Sequence, residues 1–148
     1  MLNFVDAISY ISENPNIYLI PTDTYDVLKF YVVGIKDTPY EGGFFKFTVI
    51  TDNNNYPFIR CDTLVWHPNI DPMMPKTKTN ICNHIINVNN WDPEKNSLKD
   101  VVKMLKGLIH MEKPYYIGCD HPLNDELTPK NFEHKAKEWT VKFASQRD

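Results

Sequence analysis
The sequence predicts a single α+β domain, with a short helix, a four-stranded antiparallel meander, and helices closing the chain. Three observations carry this expectation. Between residues 17 and 66, apolar runs of strand length alternate with short loops rich in turn formers, which suits consecutive antiparallel strands. From residue 97 onward, apolar residues recur at helical spacing instead. No internal repeat or linker divides the 148 residues, so 1–148 reads as one domain.

Taken in order, residues 3–13 place Phe4, Val5, Ile8 and Ile11 at helical spacing and end at Asn14-Pro15, which predicts a short amphipathic helix. Residues 17–20 make a first strand, stopped by Pro21 and the polar Thr22-Asp23-Thr24. Residues 27–33 make a second, with Leu28, Phe30 and Val32 on one face and Val27 and Val33 adding apolar character to the other. Residues 37–43 are a turn: proline presets one φ, and Gly42 and Gly43 permit positive φ. A third strand at 44–50, a polar loop at 51–55 and a fourth strand at 59–66 complete the meander. Ser97 with Asp100 three residues on is an N-terminal capping pattern. The apolar stripe Leu98, Val101, Val102, Leu105, Leu108 and Ile109 follows it. A last helix begins with Thr128 as cap and Pro129 at its first position, and buries Phe132, Ala136, Trp139 and Phe143.

Composition narrows the function. Hydrophobic residues make up 42% and aromatics 13%, enough for a packed core. The net charge of −3 comes without a run of like charge, so no nucleic-acid footprint is expected. The first residues lack a basic and an apolar region, so no signal peptide is read, and nothing approaches the length of a membrane span. Cys61, Cys82 and Cys119 are widely spaced and form no CxxC pair. That suits a reducing compartment and speaks against a disulfide framework or a metal site. Cys61 and Cys119 read as small buried hydrophobes.

Chemistry concentrates around one thiol. His67-Pro68-Asn69-Ile70 is a rigid turn that presents a side-chain amide. Cys82 follows thirteen residues after Asn69, and Trp91-Asp92-Pro93 begins nine residues after Cys82. A thiolate beside an amide donor can form a thioester and stabilise the oxyanion made when that thioester is attacked. An ordinary thiol, with pKa about 8.5, is already slightly ionised at neutral pH, so it needs no dedicated base.

The motifs in order resemble those of the ubiquitin-conjugating enzymes over nearly the whole chain. The turn at 37–43 with Phe44-Phe45 is similar to that family's second hairpin, and Tyr56-Pro57-Phe58 to its YPF element. Residues 63–70 lead into its HPN motif. Asn80-Ile81-Cys82 is similar to its G-x-I-C segment, with Asn80 in place of glycine; asparagine tolerates the left-handed conformation next best. Trp91-Asp92-Pro93 is similar to its W-x-P, and Cys119-Asp120-His121-Pro122-Leu123 to its D-D-P-L gate. Residues 138–143 are similar to its final helix.

The resemblance implies a UBC-like fold with a cysteine-bearing crossover between the meander and the C-terminal helices. It implies Cys82 as the thioester carrier, with Asn69 serving either as an oxyanion donor or as a brace for the loop bearing Cys82. His67 and Pro68 would support the turn, and Trp91 would be core. Phe58, Pro93 and Glu94 would grip a ligase domain, although Phe58 can equally be core. Implied partners are ubiquitin or a ubiquitin-like modifier, an activating enzyme and a ubiquitin ligase, with no nucleic acid and no membrane. No metal or cofactor is expected, since ATP is used by the activating enzyme, and the expected location is cytoplasmic or nuclear.

Departures from the family pattern set the finer expectations. The segment 71–79 before the cysteine is longer than usual, and the first helix carries no Lys or Arg. The proline pair that usually follows the YPF element is missing. His121 stands before Pro122-Leu123, and Asn83-His84 follows Cys82 with no acid. That arrangement resembles the subgroup handing ubiquitin to the cysteines of HECT and RBR ligases, while both histidines can also be plain loop residues. Two rivals remain. One is a conjugating-enzyme-like scaffold without catalysis, which the long loop favours and Cys82 opposes. The other is a Cys/His hydrolase, for which no glycine turn or signature is present.

Overall fold
The computed structural model describes residues 4–51, 56–81, 91–92, 94–111 and 129–146, and of 129–131 the backbone alone. The elements are α1 (Val5–Glu13), β1 (Ile17–Ile20), β2 (Val27–Val33), β3 (Phe44–Ile50), β4 (Phe58–Cys61), α2 (Leu98–Ile109) and α3 (Pro129–Phe143). The four strands form one antiparallel sheet in the order β1-β2-β3-β4. Among the described residues three helices stand beside this meander, so the α+β expectation holds.

Alternation places Leu28, Phe30 and Val32 of β2, Phe45, Phe47 and Val49 of β3, and Ile59 and Cys61 of β4 on one buried face. The α2 residues Leu98, Val101, Val102, Leu105, Leu108 and Ile109 are buried in the same core. Helix α2 starts where the capping pattern predicts. The Ser97 hydroxyl accepts from Asp100 N–H at 3.3 Å, and the Asp100 carboxylate accepts from Ser97 N–H at 3.0 Å.

Three sequence expectations need correction. In α1 the buried residues are Ala7 and Ile11, with Phe4 and Tyr10 partly buried. Val5 and Ile8 are 68% and 38% exposed. Positions 4, 7 and 11 share a helical stripe, and the small Ala7 allows close packing where α1 meets β1 and α2. Strand β4 ends at Cys61 and not near Trp66. Asp62 N–H still donates to Lys46 O at 2.7 Å, but Lys46 N–H then donates to the Thr63 hydroxyl at 2.9 Å, so a side chain takes the next rung and the ladder stops. In α3 Ala136 is buried and Phe132 and Trp139 pack partly buried against the core as expected, but Phe143 is 38% exposed, and Thr140 and, just past the helix, Ala144 are buried instead. The cap expected at Thr128 lies outside the described residues.

The β2–β3 turn works as the sequence predicts at Gly42, whose φ is 77°. Gly34 has a different reason: a Cβ there would sit 1.7 Å from Tyr40 O, so glycine lets the two chains approach. That approach seats Tyr40, on which the site depends.

Candidate active site
The site is built outward from His67, which is wholly buried. Its Nδ1 accepts from Asn69 N–H at 3.0 Å, and its Nε2 lies 2.7 Å from Leu108 O. An acceptor at Nδ1 and a carbonyl at Nε2 define the neutral, Nε2-protonated imidazole. The ring stacks on Tyr40, with centroids 5.6 Å apart and planes at 16°. Tyr40 in turn donates its hydroxyl to Trp66 O at 2.8 Å and meets Phe45 edge-on. Burial, helped by the neighbouring Cys61, pushes the Tyr40 phenol well above its usual pKa, so it stays a donor. From the other side α3 covers the turn: Trp139 packs on Trp66 at 4.9 Å, and Lys135 Nζ lies 4.0 Å from the Trp66 ring centre.

Ile70 N–H donates to His67 O at 3.2 Å and closes the turn; Pro68 and Asn69 are buried within it, Asn69 being 2% exposed. Ile70 is bridged to Ile81, and Asp71 N–H donates to Asn80 O at 2.8 Å. The residue after Asn69 is therefore paired with the residue before Cys82.

Asn80 is the residue whose role the sequence obscured. Asp37 is the one non-glycine residue with positive φ among those described, so Asn80 does not replace glycine for left-handed backbone. Its amide instead donates to Cys61 O at 2.8 Å and accepts from Cys61 N–H at 2.9 Å. The Thr79 hydroxyl donates to Ile59 O at 2.5 Å. Two side chains thus satisfy the free edge of β4 as another strand would. No sequence pattern marks this role, because a buried amide and a turn asparagine look alike there.

Cys61 itself is buried, and its thiol is pushed up to about 12, chiefly by burial, against a lowering contribution from the Thr63 backbone. Such a thiol is almost wholly protonated at neutral pH and is a poor nucleophile.

On the other flank, Trp91 is half-buried against the core and meets Tyr56 edge-on at 5.7 Å. Its Nε1 is buried with no hydrogen-bond partner among the described residues. This contact joins the segment leading into β4 to the residues Asp92, Glu94 and Asn96. There Asp92 Oδ1 accepts from Glu94 N–H at 2.9 Å and Asn96 Oδ1 accepts from Asp92 N–H at 2.9 Å. Glu94 is exposed. Phe58 opens β4 opposite Ile50, half-buried and on the face away from Ile59 and Cys61. Cys82, His84, Pro93, Cys119 and His121 lie outside the described residues.

With this geometry in view, the sequence profile described as ubiquitin-conjugating enzyme matches residues 8–145. The chain belongs to the ubiquitin-conjugating enzyme family. Among curated relatives, it is 35% identical over 123 residues to Ubiquitin-conjugating enzyme E2-24 kDa of Saccharomyces cerevisiae, covering 77% of this chain and 52% of that one. It is 30% identical over 113 residues to the NEDD8-conjugating enzyme UBE2F of Bos taurus, covering 71% and 59%. The chain thus spans somewhat more than half the length of these relatives. The crystal structure of a candidate ubiquitin conjugating enzyme from Plasmodium yoelii shares the fold, with a TM-score of 0.74, 24% identity, and coverage of 96% of this chain and 92% of that one.

Proposed function
We propose that this protein accepts ubiquitin or a ubiquitin-like modifier from an activating enzyme as a thioester on Cys82, and passes it to a cysteine of a ligase. The observation that carries this reading is the Ile70–Ile81 bridge. It ties the buried Trp66–Ile70 turn to the residue immediately preceding Cys82. In the reaction, the Cys82 thiolate attacks the activating enzyme's thioester, a tetrahedral oxyanion forms, and the activating enzyme's thiolate leaves. Asn69, whose N–H donates to His67 Nδ1, would support either that oxyanion or the loop itself. Phe58, Pro93 and Glu94 are proposed as ligase contacts.

The preference for a thiol acceptor follows from chemistry. A lysine amine with pKa about 10.4 is almost wholly protonated at neutral pH and needs a carboxylate-bearing site before it can attack. The sequence offers His121 and His84 where such acids would stand, whereas a thiol needs little help. Both a ubiquitin and a NEDD8 enzyme are among the relatives, so the modifier is part of what the experiment reads. The test charges the protein with each modifier, its activating enzyme and ATP, and maps the adduct by mass spectrometry. Discharge onto free cysteine and onto free lysine is then compared at one pH. Expected are a reductant-sensitive adduct at Cys82 and faster discharge onto cysteine. Equal rates would refute the acceptor preference, and a chain that never charges would favour a non-catalytic scaffold.

A further inference from the structure
The loop between the turn and Ile81 has little apolar anchorage. Met73 is 69% exposed, and every residue from 75 to 79 is exposed. Its base is closed by the Asp71–Asn80 backbone bond, and Lys78 N–H donates to Pro75 O at 3.0 Å within it. One side chain from β4 holds the tip. Arg60 Nη1 donates to Pro75 O at 2.9 Å and to Lys78 O at 2.7 Å, and Nη2 donates to Met74 O at 3.2 Å. The Arg60 side chain is only 11% exposed, and its Nε lies 3.7 Å from Asp62 Oδ1. Asp62 Oδ2 accepts from the Thr48 hydroxyl at 2.5 Å, which ties the clamp back to β3.

The match between donor and loop is specific. A guanidinium is a rigid, planar, permanently charged fork, so it can take several carbonyls in a set arrangement; an ammonium on a flexible stem cannot reproduce it. Bonds from a charged donor are also roughly twice as strong as neutral ones. Lys78, the last residue gripped, is followed at once by Thr79 and Asn80, whose side chains pin the edge of β4, and then by Ile81.

We propose that Arg60 is a positioning residue for transfer at Cys82. By gripping the carbonyls of Met74, Pro75 and Lys78, it fixes the course of the long loop and so the direction from which the chain reaches the thiol. This inference rests on the reading of Cys82 as the thioester carrier. Without the clamp, the loop's freedom is passed on to the hydrogen bonds of Thr79 and Asn80. The thioester then spends less time in the geometry the transition state requires.

The experiment compares the parent with Arg60→Ala and Arg60→Lys in four measurements. Urea unfolding reports the fold, and trypsin nicking after the exposed Lys76 and Lys78 reports the loop. Single-turnover discharge of the pre-charged protein onto saturating free cysteine reports transfer, and iodoacetamide alkylation of Cys82 reports the bare thiol. Since an ångström of misplacement can cost about 100-fold, a partial release in Arg60→Ala is expected to slow discharge about 10-fold. Nicking should accelerate, and alkylation should stay within about twofold because a small alkylating agent needs no particular course of the loop to reach a free thiolate. Arg60→Lys should recover only part of the discharge rate. Faster nicking with discharge at the parental rate would overturn the proposal, as would discharge and alkylation falling together with the urea midpoint. A parent that never charges overturns the thioester reading and this inference with it. A parent that charges normally beside an unimpaired Arg60→Ala overturns this inference alone.

Discussion

Two segments converge on the Ile70–Ile81 bridge, and they are held by opposite means. The turn at 65–70 is buried throughout, with the His67 ring stacked on Tyr40 and bonded at both nitrogens. The loop at 71–79 is largely exposed and hangs on Arg60 and on its own closing bonds. Losing a support from the first should therefore reach the whole fold, because a cavity opens and polar groups are stranded in the core. Losing a support from the second should leave the core packed and free only the loop. The site thus joins a part fixed by the core to a part that can vary without unfolding the domain.

The strongest way to break this contrast is His67→Ala. It strands Leu108 O and Asn69 N–H and empties the space beside Tyr40, and should lower stability by about 3–4 kcal/mol in urea unfolding. A loss below 1 kcal/mol would show that the turn is not rooted in the core. Asn80→Gly lies between the two regimes, since it restores the family's residue while stripping Cys61 N–H and O of their partners. A loss of about 2 kcal/mol is expected. A gain in stability would mean that the backbone prefers glycine there and that the amide's two bonds count for little.

These residues also show what the sequence could reveal. The bounds of β2, β3 and α2 follow from alternation, glycine placement and the Ser97–Asp100 box, all local properties. The location of the turn was legible as a motif for the same reason. The end of β4 was not, because Val65 and Trp66 are strand-like residues buried without a ladder, Trp66 against Tyr40 and α3. Nor could the sequence show which face of α1 is buried, since Ala7 carries little hydrophobic signal yet allows the closest packing. The roles of Arg60 and Asn80 were invisible because the hydrogen bonds that define them go to backbone atoms, which every residue possesses.

A smaller effect sharpens the comparison from the far end of α2. His110 Nε2 donates to Val33 O at 2.8 Å, and its pKa is lowered from 6.5, first by burial and then by Lys106, against the raising effect of that bond. The folded state therefore resists protonation that the unfolded chain accepts. His110 contributes fully above the unfolded pKa, and its contribution is lost as the pH falls below 6.5. Urea midpoints should fall over that range in the parent and fall less in His110→Gln. Equal slopes would remove His110 as the cause.

The most direct test of the account replaces the proposed nucleophile's sulfur by oxygen. Cys82→Ser should be charged slowly by modifier, activating enzyme and ATP, and its adduct should survive thiol reductant yet yield to alkali, as an ester does. The parent's adduct should be lost to reductant, and Cys61→Ser should charge like the parent. A reductant-sensitive adduct that persists in Cys82→Ser would place the thioester on another residue and contradict the account.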